Sequence, residues 1–433
     1  MKTSVLIRGG HVIDPSQKLD GPADVLIDNG RIAEIGSVTR AAERTIDATG
    51  LIVAPGLIDL HVHLREPGQW QKETIATGTA AAAAGGFTSV CAMPNTSPIN
   101  DIPAITRWMT ASERGAVVNV FPIAAATIGS QGERVTDFFA LANAGAIAVT
   151  DDGKPLFSDR IMREAMQQAA LAGLPVIQHA EDTTLTQGAV MHEGPTAFRL
   201  GLRGMTTIAE SRIVERDIDL AAETGAHLHV AHISTAAALD AVREGKARGV
   251  KVTCEVTPHH FTLTDEDIGD YNTNAKMNPP LRSRADREAM IQGMLDGTID
   301  AIATDHAPHA VHEKSVEFDN APFGIIGLET ALGLAITRLH VQHGVTFKRL
   351  IELFSTHPAR IAQLTGRGTL KPGAHADVTL FDPQGKWRYD AARGKSKAQN
   401  TPFHDWEFTG KVVMTIVSGV AVANASGSSS SAD

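Results

Sequence analysis

The chain has 433 residues, of which 43% are hydrophobic and 20% are charged, and its formal net charge at pH 7 is -10. This composition is typical of a globular protein with one large core and a smaller satellite domain, and it excludes disordered and fibrous proteins. The acidic balance also argues against a nucleic-acid-binding surface, which requires clustered basic residues.

The N-terminal residues run directly into a strand-like alternation, without the basic region and apolar core of a secretory signal. No stretch approaches the roughly 18 uninterrupted apolar residues of a membrane span. The two cysteines, Cys91 and Cys254, are too few for a disulfide framework or a thiolate zinc cage, and they favour a reducing compartment. We therefore expect a cytoplasmic protein that binds neither membranes nor nucleic acid.

Both ends of the chain have the pattern of antiparallel β-sheet. Near the N-terminus, alternating segments at 25–28 and 31–35 are separated by turn signals, and similar segments return at 376–381 and 411–417. The two ends are therefore predicted to pair into one small β-sandwich.

Between the two ends, eight short apolar runs alternate with helix-length segments, the pattern of βα units around a parallel sheet. The runs are 57–61, 87–92, 117–123, 146–149, 175–178, 227–231, 251–256 and 300–303. They predict an α/β fold with a (β/α)8 TIM-like barrel, and a doubly wound open sheet is the alternative. The predicted divisions are 1–55 and 367–425 for the sandwich, 56–366 for the barrel and 426–433 for a disordered tail.

The first barrel strand ends in a pair of histidines, His61 and His63. Residues two apart in an extended strand point to the same face, and the carboxyl ends of barrel strands open on the active-site face. The two imidazoles can therefore share one cation. The alternative is that they are only polar residues at the end of a strand.

Later metal-competent residues occupy the same place, directly after an apolar run. They are Asp151, Asp152, His179, His232 and Asp305. Four histidines and two carboxylates suffice for two divalent ions if one carboxylate bridges them. Imidazole and carboxylate ligands without thiolate suit zinc best, with manganese or cobalt as alternatives.

These ligands resemble those of the amidohydrolase superfamily over residues 1 to about 425. Within that superfamily, the segments at 93–96, 276–282 and 304–309 resemble the long bacterial class of dihydroorotases (class I). The resemblance implies an enzyme that interconverts (S)-dihydroorotate and N-carbamoyl-L-aspartate in de novo pyrimidine synthesis. It also implies a small-molecule substrate, two Zn²⁺ per subunit, a homodimer and association with another enzyme of that pathway.

The fourth strand departs from much of the superfamily. Hydantoinases and allantoinases generally bridge their metals there with a carbamylated lysine, whereas this chain offers Asp151 and Asp152. The resemblance to the long bacterial class favours Asp152 as the bridge. Lys154, which lies past the following glycine, is the rival.

The predicted assignment gives His61, His63 and Asp305 to one ion, His179 and His232 to the other, and Asp152 to both. Two cations lower the pKa of a bridging water from about 15.7 toward about 7 and polarise the amide carbonyl, so that a metal-bridged hydroxide is the expected nucleophile. Asp305 is the predicted general base, which takes the proton and hands it to the leaving ring nitrogen.

Substrate contacts are predicted around the carboxylate of the ring. Arg65 lies two residues beyond His63, and its guanidinium can grip a carboxylate with two hydrogen bonds; a structural ion pair is the alternative. The other contacts, which the resemblance implies, are His63, Asn95 and His309 near the carboxylate, and Asn278 and the backbone of Phe323 and Gly324 at the ring amides. The asparagines are alternatively turn-forming residues, and His309 a loop histidine.

The remaining histidines near strand ends, His227, His229, His259 and His260, are interpreted as structural, and His306 as a residue that orients the loop of Asp305. The segment 313–324 is a candidate loop that closes over substrate. Two other functions stay open at this point. One is an allantoinase or dihydropyrimidinase acting on another ring, and the other is a non-catalytic partner protein on the same fold.

Overall fold

The computed structural model describes residues 4–424, and the predicted tail at 426–433 lies outside the described residues. The strands are β1 Val5–Asp14, β2 Leu19–Asp28, β3 Arg31–Gly36, β4 Arg44–Asp47, β5 Ile52–Pro55, β6 Leu57–Val62, β7 Phe87–Ala92, β8 Asn119–Pro122, β9 Ala124–Ala125, β10 Val149–Thr150, β11 Val176–Gln178, β12 Met191–His192, β13 Gly204–Met205, β14 Leu228–Val230, β15 Val252–Val256, β16 Ala301–Ile302, β17 Val378–Arg388, β18 Glu407–Val417 and β19 Val420–Asn424.

The α-helices are α1 Ile75–Ala84, α2 Pro103–Met109, α3 Phe138–Asn143, α4 Asp159–Ala172, α5 Thr183–Thr186, α6 Pro195–Leu200, α7 Ile208–Thr224, α8 Ala236–Ala247, α9 Pro258–Thr262, α10 Arg284–Asp296, α11 Val311–Lys314, α12 Ala331–Leu334, α13 Phe347–Ile351 and α14 His357–Ile361. Two π-helical segments, Ala335–Val341 and Glu352–Thr356, flank α13. Short 3₁₀ helices span Pro15–Gln17, Ser112–Arg114, Ile128–Ser130, Asp265–Ile268, Thr273–Ala275 and Ala391–Arg393. Within residues 4–424, no helix combines the length and the apolarity that crossing a membrane requires.

The eight predicted runs form a closed parallel barrel. Strands β6, β7 and β8 pair in that order, and β9, which follows β8 after one residue, begins the series β9-β10-β11-β14-β15-β16. A parallel bridge between Val62 and His306 joins the last strand to the first and closes the ring. The barrel prediction is therefore confirmed, and the open doubly wound sheet is excluded. The fourth strand begins at Val149, at the end of its predicted run.

The helices around the barrel follow the start and stop signals of their sequences. Helix α8 begins after Thr235, whose hydroxyl accepts a hydrogen bond from the N–H of Ala238. Helix α7 ends at Gly225, which has a φ of 72° and so adopts a left-handed conformation that a side chain would disfavour. Both helices bury an apolar stripe against the strands.

The two chain ends pair as predicted, in an eight-stranded sheet ordered β19-β18-β17-β5-β1-β2-β3 with β4 on β1. The pairing of β17 with β5 sets Leu380 opposite Val53 and so joins the C-terminal strands to the N-terminal ones. A bulge in β1 between Ile7 and Gly10 lets its first half pair with β4 and its second half with β5. Apolar residues from both ends form a shared core, which makes this part the β-sandwich.

The barrel strands direct their carboxyl ends to one rim, where the predicted ligands follow. We propose that the boundary between sandwich and barrel lies at residue 55/56 on the N-terminal side, because β5 ends at Pro55 and β6 begins at Leu57. On the C-terminal side we propose residue 366/367, which lies before β17 begins at Val378.

Candidate active site

A cavity of about 240 Å³ opens at the carboxyl ends of the barrel strands. Its lining includes every predicted site residue except His61. The lining residues are His63, Arg65, Asn95, Asp152, Gly153, His179, His232, Met277, Asn278, Asp305, Ala307, His309, Phe323 and Gly324. His61 has no solvent exposure. Three other cavities are larger. Those of about 580 and 470 Å³ adjoin the terminal sheet and no predicted site residue lines them, whereas one of about 300 Å³ shares His309 with the site but contains no predicted metal ligand.

The first ligand group joins the end of β6 to the loop that follows β16. The Nε2 atom of His63 lies 3.0 Å from Oδ1 of Asp305, and the Nε2 atom of His61 lies 3.5 Å from the same oxygen. Asp152 approaches both imidazoles, with Oδ1 at 3.4 Å from His61 and Oδ2 at 3.6 Å from His63. The ligand atoms of His61, His63 and Asp305 all lie within 4.8 Å of one another, which is close enough to hold one ion.

The second ligand group approaches the Oδ1 atom of Asp152, the same oxygen that lies near His61. The Nδ1 atom of His179 lies 3.0 Å from Nε2 of His232, and these two atoms lie 3.9 and 3.7 Å from Oδ1 of Asp152. Two imidazole nitrogens this close share one proton or one cation. Asp152 therefore contacts both groups, as expected of a bridging ligand.

Three atoms of this cluster are buried without a hydrogen-bond partner among residues 4–424, namely Nε2 of His61, Oδ1 of Asp152 and Nδ1 of His232. Burying a polar atom without a partner is costly, so such atoms usually have a ligand. Nε2 of His61 lies near Asp152 and Asp305, and Oδ1 of Asp152 lies near His61, His179 and His232. The donor set of imidazoles and carboxylates without thiolate therefore fits divalent zinc well.

The charges of the cluster favour the same conclusion. Burial alone would lower the pKa of His61, but Asp152 and Asp305 raise it well above its ordinary value. Burial would raise the pKa of Asp305, but His61 and His63 hold it well below the usual range. The site therefore keeps its carboxylates ionised and stabilises positive charge between them, which is the electrostatic condition for binding cations.

The neighbouring aspartate and the lysine on the fourth strand are placed differently. Asp151 accepts hydrogen bonds from the N–H of Thr127 at 2.9 Å and from the Thr127 hydroxyl, which fixes its carboxylate in the loop after β9. Lys154 is exposed and is not among the residues that line the cavity. The geometry therefore favours Asp152 as the bridge over a carbamylated Lys154.

Sequence analysis missed Glu255, a buried carboxylate on β15 behind the first ligand group. Its Oε1 atom lies 2.9 Å from Nδ1 of His61, and its Oε2 atom lies 3.1 Å from Nε2 of His229. Although burial raises the pKa of Glu255, its bonds to His229 and His61 lower it to about 2. Because Nδ1 of His61 donates to this carboxylate, Nε2 stays free to bind a metal. A glutamate inside an otherwise apolar barrel strand was the available signal.

Glu181 is the second supporting carboxylate that the sequence did not reveal. Its Oε2 atom accepts from Nε2 of His179 at 3.1 Å and from the side-chain amide of Asn278 at 2.9 Å. These bonds turn Nδ1 of His179 toward Asp152 and tie a predicted substrate contact to a predicted metal ligand. Its position two residues after His179 was the only local signal.

Arg65 lies in the cavity, but not for the reason that strand alternation suggested. Strand β6 ends at Val62, and Arg65 has a φ of 63°, so its backbone has left the extended conformation. Its Nε donates to the carbonyl of Pro308 at 3.1 Å. Burial lowers the pKa of Arg65 to about 10. Because this value is still well above neutral pH, the guanidinium stays charged. Within residues 4–424 Arg65 forms no ion pair, which was the alternative to the predicted carboxylate contact, so its charge is available to a ligand.

The side chains of Asn95 and Asn278 bond to residues of the candidate site. The Oδ1 atom of Asn95 lies 2.8 Å from Nδ1 of His63, and its amide nitrogen lies 3.4 Å from Asp152. The side-chain amide nitrogen of Asn278 donates to Oε2 of Glu181 at 2.9 Å. Both amides still line the cavity and can face a substrate.

His309, Phe323 and Gly324 form the opposite wall. The Nε2 atom of His309 donates to the carbonyl of Phe323 at 2.9 Å, and burial together with Arg65 lowers the pKa of His309 to about 3, so the ring is neutral. The N–H of Gly324 donates to the carbonyl of Lys276 at 3.0 Å. The resemblance implies that the backbone of Phe323 and Gly324 contacts the ring amides. In the structure, the Phe323 carbonyl and the Gly324 N–H already form hydrogen bonds within the protein. A Cβ atom at Gly324 would lie 2.6 Å from the carbonyl oxygen of Ala307, so this close approach requires glycine.

The remaining histidines occupy supporting positions. His306 bonds Glu73 through Nε2 at 3.3 Å and accepts from the N–H of Gly327 at 3.2 Å, which anchors the loop of Asp305. His260 bonds the carbonyl of Pro279. Three non-glycine residues of the site or its rim, Arg65, His232 and Asp305, have positive φ values of 63°, 31° and 45°. Such strained conformations are typical of functional sites.

Comparison with known proteins places this geometry in a family. The dihydro-orotase-like family model matches residues 50–238. The chain is 52% identical over 417 residues to the dihydroorotase of Solibacter usitatus, covering 96% of this chain and 97% of that protein. It is also 52% identical over 425 residues to the dihydroorotase of Citrifermentans bemidjiense, covering 98% and 100%.

Solved structures resemble the chain in fold. The L-hydantoinase (dihydropyrimidinase) of Arthrobacter aurescens superposes with a TM-score of 0.88 at 25% identity, covering 97% of this chain and 96% of that one. The dihydropyrimidinase of Brevibacillus agri superposes at 0.83 with 23% identity, covering 97% and 95%. The relatives in sequence and the neighbours in structure thus act on different rings.

Proposed function

Because the chain belongs to the dihydroorotase family, we propose that its six converging ligands hold two zinc ions and that the cavity beside them binds (S)-dihydroorotate. The protein is a metal-dependent cyclic amide hydrolase, and its reaction interconverts (S)-dihydroorotate and N-carbamoyl-L-aspartate in de novo pyrimidine synthesis. The observation that carries the metal proposal is that these ligands converge, yet Nε2 of His61 and Oδ1 of Asp152 are buried there without a hydrogen-bond partner within residues 4–424.

The proposed assignment gives His61, His63 and Asp305 to one ion and His179 and His232 to the other, with Asp152 on both. When bound, the cations lower the pKa of a water and polarise the amide carbonyl. Glu255 and Glu181 fix which nitrogens of His61 and His179 face the metals.

Asp305 is the proposed general base. Its carboxylate lies 3.0 Å from His63 and is held ionised by the neighbouring histidines, so it can accept the proton of the attacking water. The protonated carboxyl group of Asp305 then returns the proton to the ring nitrogen as the amide bond breaks. Asp305 therefore acts as base in one half of the reaction and as acid in the other.

Arg65 is the proposed anchor for the carboxylate of the ring. Its charged guanidinium is buried, and its one hydrogen bond in the described chain comes from Nε, so its terminal nitrogens face the cavity. A buried cation of this kind binds a carboxylate with two parallel hydrogen bonds. Asn95, Asn278, His63, His309, Phe323 and Gly324 complete the proposed pocket around the ring.

The alternatives predict different chemistry at this anchor. The hydantoinase-like neighbours favour a ring without a carboxylate, which would leave Arg65 buried without a partner. A non-catalytic protein on this fold would need no complete ligand set, whereas this chain keeps all six ligands.

A homodimer, and association with another enzyme of the pathway, are further proposals that rest on the family resemblance. Light scattering of the purified chain checks the dimer.

Zinc titration of the metal-free enzyme tests the two-ion proposal. We expect chelation to abolish dihydroorotase activity and zinc to restore it fully at two ions per chain, because Asp152 links two separate ligand groups. Asp152→Asn should bind fewer than two ions, and Asp151→Asn, at a carboxylate that bonds Thr127 instead of the ligand groups, should still bind two. An end point of one ion would contradict the proposal. Activity that does not return with zinc would favour the non-catalytic alternative.

A further inference from the structure

Two lysines beside the cavity are buried, although lysine is almost always exposed. The residue exposures of Lys276 and Lys314 are 2% and 6%. Every hydrogen bond that the two side chains donate within residues 4–424 ends on a backbone carbonyl. Neither lysine belongs to the two metal-ligand groups or bonds to a predicted metal ligand. The proposed mechanism therefore does not explain why they are buried.

Lys314 connects two segments of the chain, 273–278 and 311–324. Its Nζ atom donates to the carbonyl of Thr273 at 2.9 Å and to that of Pro322 at 2.7 Å, and it lies 3.4 Å from the carbonyl of Lys276. The Thr273 hydroxyl donates in return to the carbonyl of Lys314 at 2.6 Å. One side chain thus holds both ends of the second segment against the first.

Lys276 makes the reciprocal connection. From the first segment, its Nζ atom donates to the carbonyls of Phe318 and Asp319 at 2.6 and 3.0 Å. It also lies over the rings of Phe318 and Phe323, at 5.3 and 4.8 Å from their centroids. Each lysine therefore donates into the segment that carries the other.

The connected segments end at the proposed substrate contacts. The first ends at Asn278, and the second starts just after His309 and ends at Phe323 and Gly324. The Gly324 N–H donates to the carbonyl of Lys276 itself. The spacing between Asn278 and the opposite wall of the cavity therefore depends on these lysine bonds.

We propose that Lys276 and Lys314 are positioning residues that latch segment 311–324 against segment 273–278 and so set the width of the substrate pocket. This inference rests on the proposed function, because it takes Asn278, His309, Phe323 and Gly324 as substrate contacts. The latch acts on the pocket wall and leaves the metal ligands in place.

The lysine side chain suits this role because one flexible amine can serve several carbonyls at once. Burial lowers the pKa of Lys314 to about 7 and that of Lys276 to about 8. A neutral amine keeps two N–H donors, so the connection survives loss of the proton. Methionine has a similar length and no donor, which makes it the substitution that removes the bonds with the least change in volume.

The test compares Lys276→Met and Lys314→Met with Lys371→Met, a control at an exposed lysine. Without the latch, segment 311–324 adopts its closed conformation only part of the time. The apparent affinity for dihydroorotate then falls in proportion to the fraction of closed molecules. We expect KM for dihydroorotate to rise about tenfold in both latch variants, with kcat within about threefold and an unchanged metal content. Hydrogen exchange of peptides covering 311–324 should accelerate by about tenfold or more.

Wild-type KM and wild-type exchange in both folded variants would overturn the latch, as would a fall in kcat with no change in KM. If a methionine variant does not fold, glutamine at the same position, Lys276→Gln or Lys314→Gln, replaces it; the amide keeps an N–H₂ donor and should give a smaller rise in KM. The exchange of the Gly324 amide in the wild-type enzyme needs no variant, and exchange as fast as that of exposed loops would also overturn the latch. Because exchange is measured without substrate, it separates failure of the latch from failure of the proposed function.

Discussion

Asp305→Asn should lower kcat for dihydroorotate hydrolysis by about 10³-fold, within the range that general acid–base groups contribute. The asparagine oxygen can still approach the metals, but the amide cannot take a proton from water or return one to the ring nitrogen. KM should change little, because the proposed contacts to the substrate carboxylate lie elsewhere. Steady-state kinetics with the metal content of the same sample gives the measurement.

Asp219→Asn is the matched control, since Asp219 forms only an exposed ion pair with Arg248. It should keep wild-type kcat. If Asp305→Asn retained two zinc ions and more than about a tenth of the wild-type kcat, Asp305 would be a ligand and not the base. A variant that lost its metal would instead be compared after zinc is restored to saturation.

Arg65→Met should raise KM for dihydroorotate by about 10²-fold or more, because truncating one partner of a buried, hydrogen-bonded charge pair costs several kcal/mol. The loss should be specific to the carboxylated ring, so any weak action on dihydrouracil should stay within about threefold of wild type. The measurement is kcat/KM for both rings in the two proteins.

Arg212→Met provides the control, because Arg212 is a largely exposed arginine that pairs with Asp182 at 3.0 Å. It should leave both rings unaffected. Near-normal KM for dihydroorotate in Arg65→Met would remove Arg65 from the pocket and leave the carboxylate of the substrate to His309 and Asn95.

The barrel was predictable because its strands are local apolar runs, and the convergence of the candidate ligands was predictable because each follows such a run. His61 and His63 needed only the two-residue repeat of a strand. The support of His61 was not predictable in the same way, because Glu255 is 194 positions away and meets it only when the barrel closes. Proximity of this kind leaves no local pattern in a single sequence.

The path of the backbone beyond the end of a strand was the second feature that the sequence did not predict. Strand alternation placed Arg65 on the face of His63, but the strand ends at Val62 and Arg65 reaches the cavity through a left-handed turn. Lys276 and Lys314 gave no signal either, because their burial depends on carbonyls of segments about 40 residues apart that the fold brings together. Sequence patterns identify the residues that carry the chemistry more readily than those that position them.

The most direct measurement is a parallel assay of dihydroorotate, allantoin and dihydrouracil with one zinc-saturated preparation. We expect kcat/KM for dihydroorotate to exceed that for either other ring by about 10²-fold or more, since only dihydroorotate presents a carboxylate to Arg65. Preference for allantoin or dihydrouracil, with no action on dihydroorotate, would contradict the assignment.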